Sequence, residues 1–146
     1  MSIFQNHLLI AAILGWFVAQ SIKFFLTWFQ ERRIDWTRIM GAGGMPSSHS
    51  SFVCALATSA GLNCGFASAA FAISTAFALI VMHDAQGVRQ DAGKQAAVLN
   101  EIMDYFEKHL GWKDQKLREL IGHTPFQVIA GAVLGVAVSI IYQQLI

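Results

Sequence analysis

The sequence predicts an all-α, polytopic integral membrane helical bundle with about four membrane helices and a cytoplasmic helical loop. Three observations predict it: 55% of the 146 residues are hydrophobic, 13% are charged, and the mean hydropathy is +0.48. Soluble domains hold about 45–50% apolar and about 25% charged residues, so this composition argues against a water-soluble globule. Residues 1–146 have room for a single membrane domain.

The positions of the charges locate the membrane segments. Every Asp, Glu, Lys and Arg except Lys23 lies within Glu31–Arg38 or Asp84–Glu119. The uncharged stretches on either side of the second cluster suit a hydrocarbon environment. The predicted spans are residues 3–29, 46–62, 66–83 and 124–146, with a polar loop over residues 84–122.

The first span is long enough to cross a bilayer and carries Lys23 near its C-terminal end. A lysine at that place snorkels to the headgroups unless it binds a ligand. No basic segment precedes this apolar stretch and no small-residue cleavage site follows it. We therefore interpret it as an anchor rather than a cleaved signal peptide.

The second span is short and built of small residues. Pro46 can open a helix, the serines after it can cap it, and the run Ser50–Gly61 suits close packing against neighbouring helices. Residues Gly61–Gly65 are interpreted as a turn, after which Phe66–Met82 is apolar for a full crossing.

The polar loop is predicted to contain a helix over Ala92–Lys108, where good helix formers carry apolar residues at near-helical spacing. In the last span, Gly131 and Gly135 offer a small face for helix packing. Cys54 and Cys64 lie in apolar surroundings without metal-ligand spacing, so we expect neither a disulfide nor a metal site.

Counting the crossings places all of the polar sequence on one side of the membrane. Nine of the ten basic residues, all except Lys23, lie on that side, and the positive-inside rule assigns it to the cytoplasm. The expected location is a bacterial inner membrane or an organelle membrane. The same count brings Pro46–Ser51, His83–Lys94 and Gly122–Gln127 to one membrane face. Two of these segments open helices, whose N-termini favour anions.

Three motifs carry a resemblance to a known family. The motifs are Gly44-Met45-Pro46-Ser47-Ser48-His49-Ser50, then Asp84-Ala85-Gln86-Gly87-Val88-Arg89 with Gly93-Lys94-Gln95 and Leu99-Asn100, then Gly122-His123-Thr124-Pro125. With these motifs the chain resembles the divergent branch of the type 2 phosphatidic acid phosphatase and vanadium-dependent haloperoxidase superfamily, over nearly its whole length.

The resemblance implies hydrolysis of phosphate esters without a metal ion or another cofactor. His123 would be the nucleophile that attacks phosphorus and forms a phosphohistidine intermediate. His49 would protonate the leaving alcohol. Ser47, Ser48 and the backbone N–H groups at the same helix start would bind the phosphoryl oxygens.

The chain departs from the superfamily's pattern at several positions. Ser48 stands where the second motif usually has glycine. In the third motif, Leu117 and Gln127 replace an arginine and an aspartate. Gln127 lies one helical turn from His123 and can accept a hydrogen bond from it, but a neutral amide cannot stabilise an imidazolium as a carboxylate does. In the first motif Gln30 replaces an arginine, and Lys23 takes the place of the lysine.

The charged segment after the third span offers replacements for the missing groups. We expect Arg89 and Lys94 to clamp the phosphate, and Asp84 to orient a histidine or to fix Arg89. The alternative for Asp84 and Arg89 is an interfacial ion pair without a role in binding.

The function expected from these motifs is that of a metal-independent phosphatase of a membrane lipid phosphate or polyprenyl diphosphate. The alternative is a non-catalytic membrane protein that binds a phosphorylated lipid or a partner. The expected partners are the bilayer and the lipid substrate, and a homodimer is compatible with so short a chain. A nucleic acid is not expected, because a net charge of +1 provides no basic surface for it.

Overall fold

A computed structural model of the chain describes residues 5–31, 44–111, 117 and 122–146. Within these residues the regular structure is entirely helical. The five helices are α1 (His7–Glu31), α2 (Ser48–Cys64), α3 (Ala69–Gln86), α4 (Val88–Leu110) and α5 (Pro125–Leu145).

The apolar helices cross the membrane. Three helical segments of the described chain are long and apolar enough to span a bilayer: His7–Phe29, Ala69–Leu110, which joins α3 and α4, and Pro125–Leu145. Large apolar side chains on these helices point away from the protein, such as Phe17 on α1 and Ile73 on α3, which are 61% and 70% exposed. Lipid tails cover such surfaces without a hydration cost. The chain is therefore an integral membrane helical bundle.

Helix α2 lies at the centre of the bundle and contacts α1, α3 and α5. It has 17 residues, or about 25 Å at roughly 1.5 Å per residue, which is slightly less than the hydrocarbon core. Serine, alanine and glycine fill its buried positions except that of Val53, because its neighbours are other helices rather than lipid.

Glycines fix how α5 and α1 pack against α2. A Cβ atom at Gly131 would overlap the carbonyl oxygen of Ser47, and one at Gly135 would overlap that of Ser51. Gly131 meets Ser47 and Gly135 meets Ser51, so the residue numbers of the contacts increase in the same direction along both helices. Helix α5 therefore runs parallel to α2. Gly15 of α1 lies against Ser51, whose Oγ donates to the Gly15 carbonyl oxygen at 2.8 Å.

The two ends of the bundle differ. One end, which we name the motif end, contains the first residues of α2 and α5 and the last residues of α3. All three sequence motifs reach this end. At the opposite end, His7 Nδ1 lies 2.9 Å from the Tyr142 hydroxyl, and the Asn63 amide donates to Gln143 Oε1 at 2.9 Å. Side-chain hydrogen bonds thus connect α1, α2 and α5 away from the motifs.

The turn predicted at Gly61–Gly65 is wrong in its position. Helix α2 continues through Cys64, and the chain turns only at Gly65, whose φ is 90°. Asn63 stays helical because its amide donates to the Ser59 carbonyl oxygen at 2.8 Å. Gly61 is small for another reason, since the Phe66 and Phe71 rings lie where its side chain would be.

Helix α4 occupies most of the polar loop. It covers the predicted helix Ala92–Lys108 and begins four residues earlier, at Val88. Only Gly87 separates it from α3, and α3 is the one helix of the described chain that it contacts. It ends at Gly111, which adopts a left-handed conformation with φ 68°. Helix α4 therefore extends from the motif end rather than packing on the bundle.

Candidate functional site at the motif end

The serine motif begins α2 and is bonded to the first turn of α5. Ser47 is fully buried and caps α2, its Oγ accepting from the Ser50 hydroxyl at 3.0 Å and the Ser50 N–H at 3.4 Å. The Ser47 N–H donates to the Gln127 carbonyl oxygen at 3.1 Å. This contact is possible because Gly131 allows the two backbones to approach. Pro46 precedes the cap and so lies outside the helix.

His123 connects the third motif to the second. Its backbone N–H donates to the carbonyl oxygen of Ala85, in the last turn of α3, at 3.1 Å. The His123 residue is only 2% exposed. Together with the Ser47–Gln127 bond, this contact brings the serine motif, the end of α3 and the start of α5 into one cluster.

The His123 ring is oriented by Gln127. Nδ1 lies 3.2 Å from Gln127 Oε1, and the Thr124 N–H donates to the same oxygen at 3.1 Å. Because the Thr124 N–H can only donate, the atom of the Gln127 amide that it contacts is the oxygen and not the nitrogen. Since an amide oxygen only accepts, Nδ1 carries the proton, and in the neutral ring Nε2 holds the lone pair. The local sequence produces this geometry through a capping box between Thr124 and Gln127.

Lys23 is buried at the motif end. It is 4% exposed, and its aliphatic chain runs beside Gly44, just before the serine motif. A snorkelling lysine would present its ammonium group to the headgroups, whereas this side chain is enclosed by protein. Within the described part of the chain, the ion pair present is Lys94–Asp91, and no carboxylate is paired with Lys23. A buried ammonium group is costly unless a carboxylate or another anion pairs with it.

His49 is not enclosed with the other motif residues. It is exposed in the first turn of α2, whereas the adjacent Ser48 is 3% exposed. Helical spacing puts His49 on the same face as Phe52 and Leu56, which are half-buried. Ser47, by contrast, faces α5. The two histidines of the motifs therefore differ in environment, one buried and one accessible.

The charged segment is only partly drawn into the cluster. Asp84 is half-buried and, with His83, lines an open groove of about 550 Å³ on α3. Lys94 is exposed on α4 and pairs with Asp91 at 3.2 Å, so the structure does not place it among the buried groups. Arg89 lies in the first turn of α4, and its side chain falls outside the described residues.

Leu117 occupies the position where the superfamily has arginine, and it is held away from the cluster. The Asn100 side chain forms two hydrogen bonds with the Leu117 backbone, accepting from its N–H at 2.8 Å and donating to its carbonyl oxygen at 2.9 Å. This position is thus bound to α4, and Asn100 gains a structural role.

Two contacts of the cluster could not be predicted from the sequence. Ser50 belongs to the serine motif, but its bond to Ser47 follows only from the geometry of the cap. The Ala85 group that contacts His123 is a backbone carbonyl, which a side-chain pattern cannot reveal. Among the described residues, no group of three or more His, Cys, Asp or Glu side chains is placed to hold a metal ion.

Comparisons with known proteins agree with the motifs. A protein of Bacillus subtilis (strain 168), the uncharacterized membrane protein YuiD, is 36% identical over 152 residues, which cover 97% of this chain and 96% of the relative. No solved structure matches the chain. The model of the Divergent PAP2 family matches residues 4–138. The chain therefore belongs to the Divergent PAP2 family.

Proposed function

We propose that the protein is a phosphohydrolase that acts on a lipid-linked phosphate or diphosphate without a metal ion. The observation that carries the proposal is the oriented, buried His123 ring, whose partner Gln127 is bonded through its backbone to Ser47 at the start of α2. The same end of the bundle encloses Lys23. A nucleophile, an anion-binding helix start and a buried cation are the parts that phosphoryl transfer through histidine requires.

The phosphoryl group would be bound by fixed positive charge. The start of α2, where the helix dipole is positive, lies at the motif end and carries the side chains of Ser47 and Ser48. Lys23 supplies a full positive charge from α1, in a site where little water screens it. An anion at this place satisfies both the helix start and the buried ammonium group.

The reaction would run in two steps. His123 Nε2 attacks phosphorus, a phosphorus–nitrogen bond forms, and the bond from phosphorus to the leaving oxygen breaks. His49 would donate a proton to that oxygen, which leaves as an alcohol or a phosphate. A water molecule then attacks the phosphohistidine, gives its proton to His49, and releases phosphate while Nε2 recovers its lone pair.

The substrate is expected to be an amphiphile. The cluster lies at one end of membrane-spanning helices, so a polar headgroup can enter it while the apolar tail stays in the bilayer. Phosphatidate, phosphatidylglycerophosphate and polyprenyl diphosphates have this form, and we propose them as the substrates to examine.

We propose that the motif end faces the cytoplasm and that the protein lies in a bacterial inner membrane or an organelle membrane. In the sequence, nine of the ten basic residues lie in the two polar segments, Glu31–Arg38 and Asp84–Glu119. Positive charge is retained on the cytoplasmic side during insertion, which supports this orientation.

Phosphate release from the purified protein tests the proposed reaction. The full chain in detergent, with a chelator present, is given the three substrate classes, and His123→Ala is measured beside it. We expect release from at least one class and its loss in the variant. His109→Ala, which removes an exposed histidine on α4, is the matched control and should retain activity. Release that persists in His123→Ala would contradict the histidine mechanism.

A second candidate function is binding of a phosphorylated lipid without turnover. Two observations favour it: Gln127 is neutral where the superfamily has a carboxylate, and Leu117 is bound to Asn100. This function predicts saturable binding of the lipid with no phosphate release from any class, and weaker binding when Lys23 is changed.

A further inference from the structure

Helix α4 carries an apolar seam that its own bundle leaves open. Apolar residues recur along it at alternating intervals of four and three, interrupted by a single glutamine. This spacing is the heptad repeat by which two helices pair. The seam consists of Val88, Ala92, Gln95, Leu99, Ile102 and Phe106.

The seam is exposed in the described chain. Val88 is 59% exposed, and Leu99 and Ile102 are each 47% exposed. Leu117, a described residue between α4 and Gly122, is bonded to Asn100, which lies on a different face of the helix from the seam. Three large apolar side chains of the seam are therefore left uncovered by the described chain, and Phe106 is half-buried.

The charge of α4 argues against a lipid surface as that cover. Helices that lie on anionic membranes are rich in lysine and arginine. Helix α4 has three basic and four acidic residues, so its formal net charge is −1. The basic residues are Arg89, Lys94 and Lys108, and the acidic ones are Asp91, Glu101, Asp104 and Glu107.

The attachment of α4 favours a second copy of this chain. Gly87 alone separates α4 from the membrane-spanning α3, so the direction of α4 is tied to the orientation of the chain in the bilayer. Two copies inserted in the same orientation extend their α4 helices from the same face, side by side and parallel. Each then offers the other a seam of identical spacing, as a closed two-fold interface requires.

We propose that the protein forms a homodimer through a parallel pairing of the α4 seams. The helix has 23 residues, or about 35 Å, which gives room for about three heptads. The two Gln95 side chains meet across the seam, and a polar residue at such a position fixes the register of the pair. This proposal is independent of whether the motif end is catalytic.

Cysteine cross-linking in native membranes tests the pairing. Leu99→Cys puts a thiol on the seam, and Glu101→Cys puts one at an exposed position on another face of the same helix. The unaltered chain, which contains Cys54 and Cys64, gives the background. Under mild oxidation we expect a covalent dimer from Leu99→Cys at several times the yield of Glu101→Cys. Equal yields, or none above background, would overturn the proposal.

The mass of the particle in detergent gives a second measurement. The unaltered chain should have the mass of two copies, and the double variant Leu99→Glu, Ile102→Glu should have that of one, with its helix content unchanged. Two further results would overturn the pairing: a monomeric unaltered chain, or seam cysteines that resist aqueous maleimide only when lipid is present. The second result would assign the seam to the membrane surface.

Discussion

At the scale of single residues, the hydrogen bond between His123 and Gln127 defines what the site can do. It fixes the tautomer as a carboxylate would, since both partners accept at Nδ1–H. The amide and a carboxylate differ in their effect once the His123 ring becomes positively charged during the proposed attack, because a neutral amide stabilises that charge little. The chain thus keeps the orientation of His123, the proposed nucleophile, and gives up part of the electrostatic assistance.

Gln127→Glu should therefore increase the rate of phosphate release. A carboxylate can accept from both His123 and the Thr124 N–H, and a charged hydrogen bond exceeds a neutral one by about 1 kcal/mol, or roughly fivefold in rate. It also stabilises the protonated ring, so the acidic limb of the pH–rate profile should move to higher pH. The measurement is kcat/KM against pH.

The control for this change is Gln144→Glu, which adds the same charge at an exposed position near the other end of α5. If Gln127→Glu and Gln144→Glu give the same profile as the unaltered protein, Gln127 does not position the nucleophile.

Lys23→Met separates a binding role from a structural one. Replacing a buried charge by an apolar side chain of similar length is often neutral or stabilising, so the unfolding temperature should be unchanged or higher. Loss of a charged contact with the phosphoryl group should raise KM by about 10- to 100-fold. Lys108→Met, at an exposed position on α4, is the control. A normal KM together with a lower unfolding temperature would assign Lys23 to the fold alone.

At the scale of elements, the parallel pair of α2 and α5 positions the cluster. Small residues at the contact let the two backbones approach until Ser47 N–H and the Gln127 carbonyl oxygen bond directly. The start of α2 and the ring of His123 are consequently held at a fixed separation by the packing of two helices.

Gly131→Ala should disturb this pair. The added methyl group overlaps the Ser47 carbonyl oxygen, and overpacking of this kind costs about 1–3 kcal/mol. We expect a lower unfolding temperature in detergent and a loss of phosphate release. Val133→Ala, on the lipid-facing side of α5 at 64% exposure, should leave both nearly unchanged. Equal stability of the two variants would mean that the helices separate without cost.

At the scale of the whole molecule, the distribution of basic residues is the basis of the proposed orientation, with the motif end in the cytoplasm. Because the last helix ends at the opposite end of the bundle, a reporter fused after Ile146 should lie outside the cytoplasm. In a bacterial host, alkaline phosphatase at this position should be active and a green fluorescent protein dark. The reverse result would place the motif end outside the cytoplasm.

The architecture was largely predictable because it depends on where charge is absent. The charge-free stretches indicated the apolar segments, and the number of crossings implied that the motifs share one face. Features that depend on a neighbour were not predictable: the burial of Lys23, the outward face of His49, and the path of α2 through Cys64. Each depends on contacts between segments that are distant in the sequence.

Main-chain bonds hold the site together, from Ser47 to Gln127 and from His123 to Ala85. Any residue except proline can make such bonds as donor, and any residue can accept them. Apart from the glycines that let the backbones approach, such as Gly131, the spatial frame of the site is therefore largely indifferent to side-chain identity. Leucine and glutamine can therefore stand at positions 117 and 127, in place of the superfamily's arginine and aspartate, without loss of these main-chain bonds. The side chains around His123 can differ while the backbone of the site stays the same.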